Sequence, residues 1–219
     1  MRLKREFYER NTILVARDLL GKTLVHYDGE SLYKAKIVET EAYINAKDEG
    51  AHFNKGLTER TKIIDEAGGH LYIYYIYGMY QLLNIVTEKN GVHGAVLIRA
   101  LEPLEGIDFM YLNRYKRVMK DETRKEIINL TNGPGKLTNA MDITKEKFYG
   151  ADLVTDRKIW VEDAPNIPQE LIQRSKRINI DYAINGRDYL LRYFIKDNKF
   201  VSKWWKELRW VIIQRKKVC

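Results

Sequence analysis

Two runs of strand character, Thr23–Tyr27 and Leu32–Tyr43, flank the turn pair Asp28-Gly29, and no other stretch of the 219-residue chain restricts the fold as strongly. An Asp-Gly pair supplies the left-handed backbone that a tight hairpin needs, so the two runs lie antiparallel. His70–Val86 repeats the pattern: it is dense in Tyr, Ile and Leu, is interrupted only by Gly78, and reads as a second hairpin with its tip near Tyr77–Met79. Gly94–Leu101 is a further strand ending at Glu102-Pro103, and Ile159–Glu162, Ile178–Ile180 and Tyr189–Ile195 read as late strands.

Helices fall between these pairs. Asn11 or Thr12 can cap one that runs to about Leu20, with Gly21 just past its end. Leu104–Met119 carries Ile107, Met110 and Tyr111 at helical spacing, followed by a charged stretch to Glu126. Gly133-Pro134-Gly135 opens another helix through about Met141. Residues 44–69 read as a long loop with one helical turn, and an excursion of that length inside a compact domain is usually functional or mobile. Strand pairs mixed with a few helices, without repeats or a linker, predict one α+β domain over residues 1–219 rather than a Rossmann-type alternation.

Charge narrows the partners. The chain carries 38 Lys and Arg against 30 Asp and Glu, a net charge of +8, and the excess is uneven. Residues 196–219 hold eight basic residues (Lys196, Lys199, Lys203, Lys206, Arg209, Arg215, Lys216 and Lys217) against Asp197 and Glu207, with Trp204, Trp205 and Trp210 among them. A basic surface of this kind suits a polyanion, although solvated lysine-rich faces produce the same count. The single cysteine, Cys219, excludes a disulfide framework, and four histidines without ligand spacing give no expectation of a metal. No apolar run is long enough to span a bilayer and the first residues do not resemble a signal peptide, so a cytoplasmic protein is expected.

Four segments could carry chemistry. Strand alternation puts Glu39, Glu41 and Tyr43 on one face and Val38, Thr40 and Ala42 on the other. Two carboxylates beside an aromatic suit either an open surface or a site, and His52 follows closely in Asp48–His52. In the second hairpin Tyr72 and Tyr74 share a face, and Tyr77 is presented at the tip, where an aromatic can wedge between base pairs. Tyr72 and Tyr75 read as core aromatics, the commoner use of Tyr in strands. Arg99, alone in an apolar strand, needs a carboxylate or a phosphate. Gly133, Gly135 and Lys136 form a Gly-rich helix start with free N–H groups suited to phosphate, as many helix starts are.

Taken together, VETEAY at 38–43, DEGAH at 48–52, LYIYYIYGMY at 71–80 followed by Asn84, VLIRALEPLEG at 96–106 and NGPGKL at 132–137 resemble one family. It is that of the alkyladenine (3-methyladenine) DNA glycosylases of the mammalian type, and the likeness runs in order from about Phe7 to about residue 200. The segment Ile64–Gly69 departs from it, lacking the Met and Pro-Gly that often precede the Tyr-rich strand.

The resemblance implies a mixed α/β domain around a curved antiparallel sheet, with the Tyr77 hairpin protruding into the minor groove. It implies that Glu41 is the general base and that Arg99 lies near it and the catalytic water. Tyr43, His52 and Tyr74 would sandwich a flipped base, Asn84 would sit against its edge, and Tyr77 would fill the gap in the duplex. The implied reaction is removal of 3-methyladenine, 7-methylguanine, hypoxanthine or ethenoadenine from double-stranded DNA by water, without a cofactor, metal or lyase step. A monomer with no membrane partner, nucleoid-associated in a bacterial or archaeal cell, is expected. Two other readings of the same residues stay open: a non-catalytic nucleic-acid-binding module, and a nucleoside hydrolase using Glu39 and Glu41 as an acid/base pair.

Overall fold

A computed structural model describes residues 1–44 and 47–202. The Trp-rich part of the basic C-terminal run, 203–219, lies outside the described residues. Among the described residues eight strands form one sheet in which all named pairings are antiparallel: β1 Thr23–Tyr27, β2 Leu32–Tyr43, β3 Leu71–Ile76, β4 Tyr80–Val86, β5 Ala95–Glu105, β6 Ile159–Glu162, β7 Ile172–Ser175 and β8 Arg192–Ile195. The main order is β3-β4-β5-β2-β1-β6, with β8 joining β2 and β7 joining β8. Among the described residues six short α-helices complete the α+β fold: α1 Arg5–Tyr8, α2 Thr12–Asp18, α3 Ile107–Tyr115, α4 Arg124–Asn129, α5 Pro134–Ala140 and α6 Lys145–Phe148.

The long strand β2 organises the sheet. Its first half pairs with β1 through the Asp28-Gly29 hairpin, and Glu39–Glu41 pair instead with β8. On its other side it pairs with β5 throughout, but the register slips twice around one point: Ile37 faces Leu101, Glu39 faces Ala100 and Thr40 faces Ile98. Val38 and Arg99 are thus the extra residues of a paired irregularity. An extra residue reverses the side on which every later side chain lies. Tyr33, Ala35 and Ile37 point into the main hydrophobic core, whereas Glu39, Glu41 and Tyr43, of the same parity, turn to the opposite face. On β5 the reversal recurs: Val96 and Ile98 enter the core, Leu97 and Arg99 face away from it, and Leu101 returns to it.

One face of the sheet is therefore sealed by apolar packing. Leu71, Ile73, Leu83, Ile85, Val96 and Ile98 meet residues of the helices, among them Val15, Met110 and Leu137. Asn11 caps α2 through its Oδ1, which accepts from the Ile13 amide at 3.1 Å, and the Thr40 hydroxyl donates to the Ala16 carbonyl at 2.7 Å, tying α2 to β2. The opposite face carries Tyr72, Tyr74, Asn84, Leu97 and Arg99 around an open cavity.

Several boundaries differ from those the sequence suggests. Ile178–Ile180 is not a strand, because Asn179 adopts a left-handed backbone (φ 62°) and the Ile178 amide donates to Glu41 instead of to a neighbouring strand. β5 continues through Pro103 to Glu105; β4 pairs only with its first residues, so the missing N–H of Pro103 takes nothing from a central ladder. The helix anticipated at Leu104–Met119 is shortened at both ends by left-handed residues, Gly106 (φ 74°) and Lys116 (φ 56°). Within the charged stretch before Glu126 a reciprocal capping box between Thr123 and Glu126 opens α4, a Thr-x-x-Glu signal that the sequence carries. Strand β7 and helices α1 and α6 have only four residues each, too few for a periodic pattern to register. No helix among the described residues is long and apolar enough to cross a membrane.

Gly106 makes the sharpest demand on the chain. It joins β5 to α3 with positive φ, and a β-carbon there would lie 2.3 Å from the Leu32 carbonyl oxygen, which is backbone and cannot swing aside. Gly106→Ala is therefore expected to destabilise the protein by about 2–4 kcal/mol, combining left-handed strain with overpacking. Urea denaturation measures this directly, and an unchanged midpoint would contradict the close approach.

A candidate base-binding cavity and its buried charges

The cavity on the open face has a volume of about 860 Å³. Tyr43, His52, Tyr74, Tyr77, Asn84, Arg99, Gly133, Gly135 and Lys136, drawn from five separate sequence segments, all line it. Tyr43 ends β2, Tyr72 and Tyr74 alternate along β3, and Asn84 and Arg99 come from the adjoining β4 and β5. His52 is delivered by the loop after β2. Its ring meets Tyr74 edge-on at 4.6 Å, its Nδ1 lies 3.0 Å from the Tyr72 hydroxyl, and Tyr72 and Tyr74 stack at 5.3 Å. Tyr72 is buried, in keeping with a core aromatic, yet it also buttresses the cavity wall. Tyr75 is not a core residue: it is exposed, and its hydroxyl donates to Glu146 at 2.8 Å.

Crowding sets the ionisation of this wall. His52 is open to the cavity but hemmed in by the tyrosines; desolvation, helped by the charge of Arg60, lowers its pKa to about 4. Burial pushes the Tyr72 phenol up to about 12, and raises Tyr74 and Tyr43 further. The cavity therefore presents neutral rings at neutral pH. The Asn84 side-chain amide is pinned by donation to the Tyr72 carbonyl at 3.1 Å.

The hairpin tip overhangs the cavity. Ile76 and Tyr80 form the last pair of the ladder, the Met79 amide donates to the Ile76 carbonyl at 3.3 Å, and the two central residues, Tyr77 and Gly78, both have positive φ (53° and 70°). This is a primed turn whose twist matches that of the strands. Glycine takes its position without strain, whereas a tyrosine held left-handed costs on the order of 1 kcal/mol or more. The strained side chain is also 76% exposed, so no core packing accounts for it.

Glu41 occupies a different place from the other sequence-derived residues. It is fully buried and lies immediately behind the cavity wall, where three wall residues hold its carboxylate. The Tyr43 hydroxyl donates to Oε2 at 2.8 Å, the Ile178 amide donates to Oε1 at 2.8 Å, and Arg99 Nη1 is 3.3 Å from Oε1. Arg99 meets the expected carboxylate twice over, since its Nε also donates to Glu39 at 2.9 Å. Glu39 is no surface residue: it accepts from Arg99, from Arg192 Nε at 2.7 Å, and from the Ser202 amide and hydroxyl at 2.6 and 2.8 Å. Burial alone would raise its pKa, but Arg99, Arg192 and the Ser202 amide outweigh that and hold it below the usual carboxylate value.

A second buried ion pair lies on the other side of Tyr43. Arg177 and Asp48 bind each other through both terminal nitrogens and both oxygens, each at 2.6 Å, and both side chains are inaccessible. The sequence points to none of Arg177, Arg192 and Ser202. Arg192 stands in an apolar run, so the reasoning that finds Arg99 would also have found it. Arg177 and Ser202 carry no comparable local mark. At the far end of the cavity Gly135 packs against Tyr80, and the Lys136 ammonium donates to Asn132 and Asn129 at 2.7 and 3.2 Å. Desolvation and the nearby Arg114, also in the lining, lower the Lys136 pKa.

Comparison with known proteins identifies the family. The sequence profile of the methylpurine-DNA glycosylase family matches residues 6–199. Proteins named "Putative 3-methyladenine DNA glycosylase" are similar along nearly their whole length. That of Alkaliphilus oremlandii is 53% identical, covering 93% of this chain and 100% of the relative. Those of Clostridium novyi and Chlorobaculum tepidum are 52% and 44% identical, covering 92% of this chain and 98% and 91% of the relatives. These relatives are bacterial. The chain belongs to the methylpurine-DNA glycosylase family, enzymes of base excision repair that hydrolyse N-glycosyl bonds in DNA.

Proposed function

We propose that this protein flips an alkylated or deaminated purine out of duplex DNA into the aromatic cavity and that Glu41 activates the water that releases it. The observation that carries this reading is the placement of Glu41. Its carboxylate is fixed on both oxygens by Tyr43 and Ile178, directly behind a wall built of Tyr43, Tyr74 and His52. A purine must leave the stack before its glycosidic bond can be reached, at a cost of a few kcal/mol that is smaller for a damaged or mispaired base. N3- and N7-methylated purines are cationic, and each aromatic face offered to them contributes roughly 0.5–2 kcal/mol. Hypoxanthine and ethenoadenine are neutral and would depend on stacking and on fit.

Loss of the base leaves an oxocarbenium-like sugar, as in glycoside hydrolysis. A carboxylate has about four lone-pair sites. The Tyr43 hydroxyl and the Ile178 amide engage one site on each oxygen of Glu41 and Arg99 Nη1 lies 3.3 Å from Oε1; the proposal assigns a remaining acceptor site to the water. Asn84, held against the Tyr72 carbonyl, stands where the edge of the purine would lie and helps reject guanine. Tyr77 fills the vacated space in the duplex, and the rim around Gly133, Gly135 and Lys136 faces the phosphate backbone. Water as the nucleophile, and hence a monofunctional reaction, is part of the same proposal. The kinship with the mammalian-type enzymes, the restriction to damaged purines and action as a monomer belong to the same proposal.

Three outcomes test it. Glu41→Gln should bind a lesion-bearing duplex normally while base release falls by about 10²- to 10⁴-fold; release at near wild-type rate would remove the assignment. The same experiment separates the enzyme from a binding module. Tyr77→Ala should weaken binding to a lesion-bearing duplex more than to an undamaged one, measured by fluorescence anisotropy, and an equal loss on both would make Tyr77 a structural residue. NMR titration should find the His52 ring neutral down to about pH 5, since its pKa lies near 4 against an ordinary 6.5. The unfolded chain takes up that proton first, so the contribution of His52 to stability is complete above about pH 6.5 and declines as the pH falls toward 4. A ring that protonates near 6.5 would contradict this.

A further inference from the structure

We infer that Arg177, locked by Asp48, is the positioning residue for Glu41, acting on both oxygens of that carboxylate at once. The inference rests on the proposed role of Glu41 as the base. Two neutral donors reach Glu41, the Tyr43 hydroxyl at Oε2 and the Ile178 amide at Oε1, and Arg177 governs both. Its guanidinium lies 4.6 Å from the centroid of the Tyr43 ring and is not itself part of the cavity lining, so it fixes the plane in which the Tyr43 hydroxyl swings. Ile178 is the next residue in the chain, and the four hydrogen bonds of Arg177 fix the backbone that carries the Ile178 amide.

Those four bonds leave Arg177 little freedom. Nη1 donates to Asp48 Oδ2 at 2.6 Å and to the Ala42 carbonyl at 3.0 Å; Nη2 donates to Asp48 Oδ1 at 2.6 Å and to the Gly186 carbonyl at 3.1 Å. Asp48 in turn accepts from the Ile44 and Gly50 amides at 3.2 and 3.0 Å, which anchors it to the loop that delivers His52. The pair is tightly packed at two glycines: a β-carbon at Gly50 would lie 2.9 Å from Arg177 Nη2, and one at Gly186 would lie 2.5 Å from Asp48 Oδ1. A buried ion pair is a weak source of stability compared with apolar packing of the same volume. Geometric definition is what such a pair supplies, and here the groups it defines are the two that aim Glu41.

The test is a double-mutant cycle in single-turnover release of hypoxanthine or 7-methylguanine from duplex DNA. Affinity for a duplex containing a tetrahydrofuran abasic-site analogue, and Tm, are followed alongside. Arg177→Lys keeps the charge but loses the bidentate clamp and the planar contact. It should lower the release rate about 10- to 100-fold while affinity changes less than about 3-fold, and Glu41→Gln/Arg177→Lys should be no slower than Glu41→Gln. Asp48→Asn, which keeps the size of the side chain, should behave as Arg177→Lys does. Tyr43→Phe, which leaves the clamp and the ring in place, should lose about 10-fold and carries the test if the clamp variants fail to fold. A release rate within 2-fold of wild type in these variants, or affinity falling in proportion to rate, overturns the inference. If Glu41→Gln is slow but the two losses multiply, the positioning role alone falls. Near wild-type release by Glu41→Gln removes the base assignment itself and the positioning role with it.

Discussion

The half-step in register at Val38 and Arg99 is the constraint on which the rest of the site depends. Up to Ile37 the odd-numbered residues of β2 feed the apolar core; after Val38 the same parity carries Glu39, Glu41 and Tyr43 away from it. Without the extra residue two carboxylates would enter a hydrophobic interior, where an unpaired charge neutralises instead of ionising. The reversal on β5 at Arg99 is matched in position, so the two strands stay hydrogen-bonded while both change faces. The cation is thereby brought to the carboxylates by the pairing itself. Bulges of this kind commonly re-aim side chains next to active sites.

Once turned away from the core, the charges still have to be buried, and they are buried as a set. Glu39 is saturated by two guanidinium groups and by Ser202. This saturation holds Arg99 by its Nε and leaves Nη1 to reach Glu41. Asp48 and Arg177 close a second pair behind Tyr43. Tyr43, Ile178 and Arg99, the three groups around Glu41, all line the cavity, and Glu41 stands directly behind them.

Much of this was legible in the sequence, and the line between what was and was not is physical. β1, β2 and the Tyr77 hairpin are set by short-range turn chemistry and alternation, and the structure places them where the residues suggest. The need of Arg99 for a carboxylate follows from the cost of burying a charge, without any knowledge of its partner. The partnership of Asp48 with Arg177 spans 129 positions and that of Glu39 with Ser202 spans 163, and no local periodicity encodes such distances. Ile178–Ile180 shows the opposite error. Its apolar alternation imitates a strand, but left-handed Asn179 breaks the run and the Ile178 amide donates to Glu41. The burial of Glu41 behind the cavity wall was likewise invisible, because alternation assigns a face and not a depth.

The closed charge set has a consequence for how the protein meets its surroundings. Glu39, Glu41 and Asp48 are matched in number by Arg99, Arg177 and Arg192, and all six are nearly or wholly inaccessible. Dissolved ions screen charges that they can approach, over a length of about 8 Å at physiological ionic strength. They reach the cationic rim at Arg60, Arg114 and Lys136 and the edge of Arg99 that lines the cavity, but not the carboxylates buried behind the wall. Attraction of the rim to a polyanion and alignment of the carboxylate proposed as the base thus answer to different environments. The first varies with the ionic composition of the medium, and the second is insulated from it by the fold.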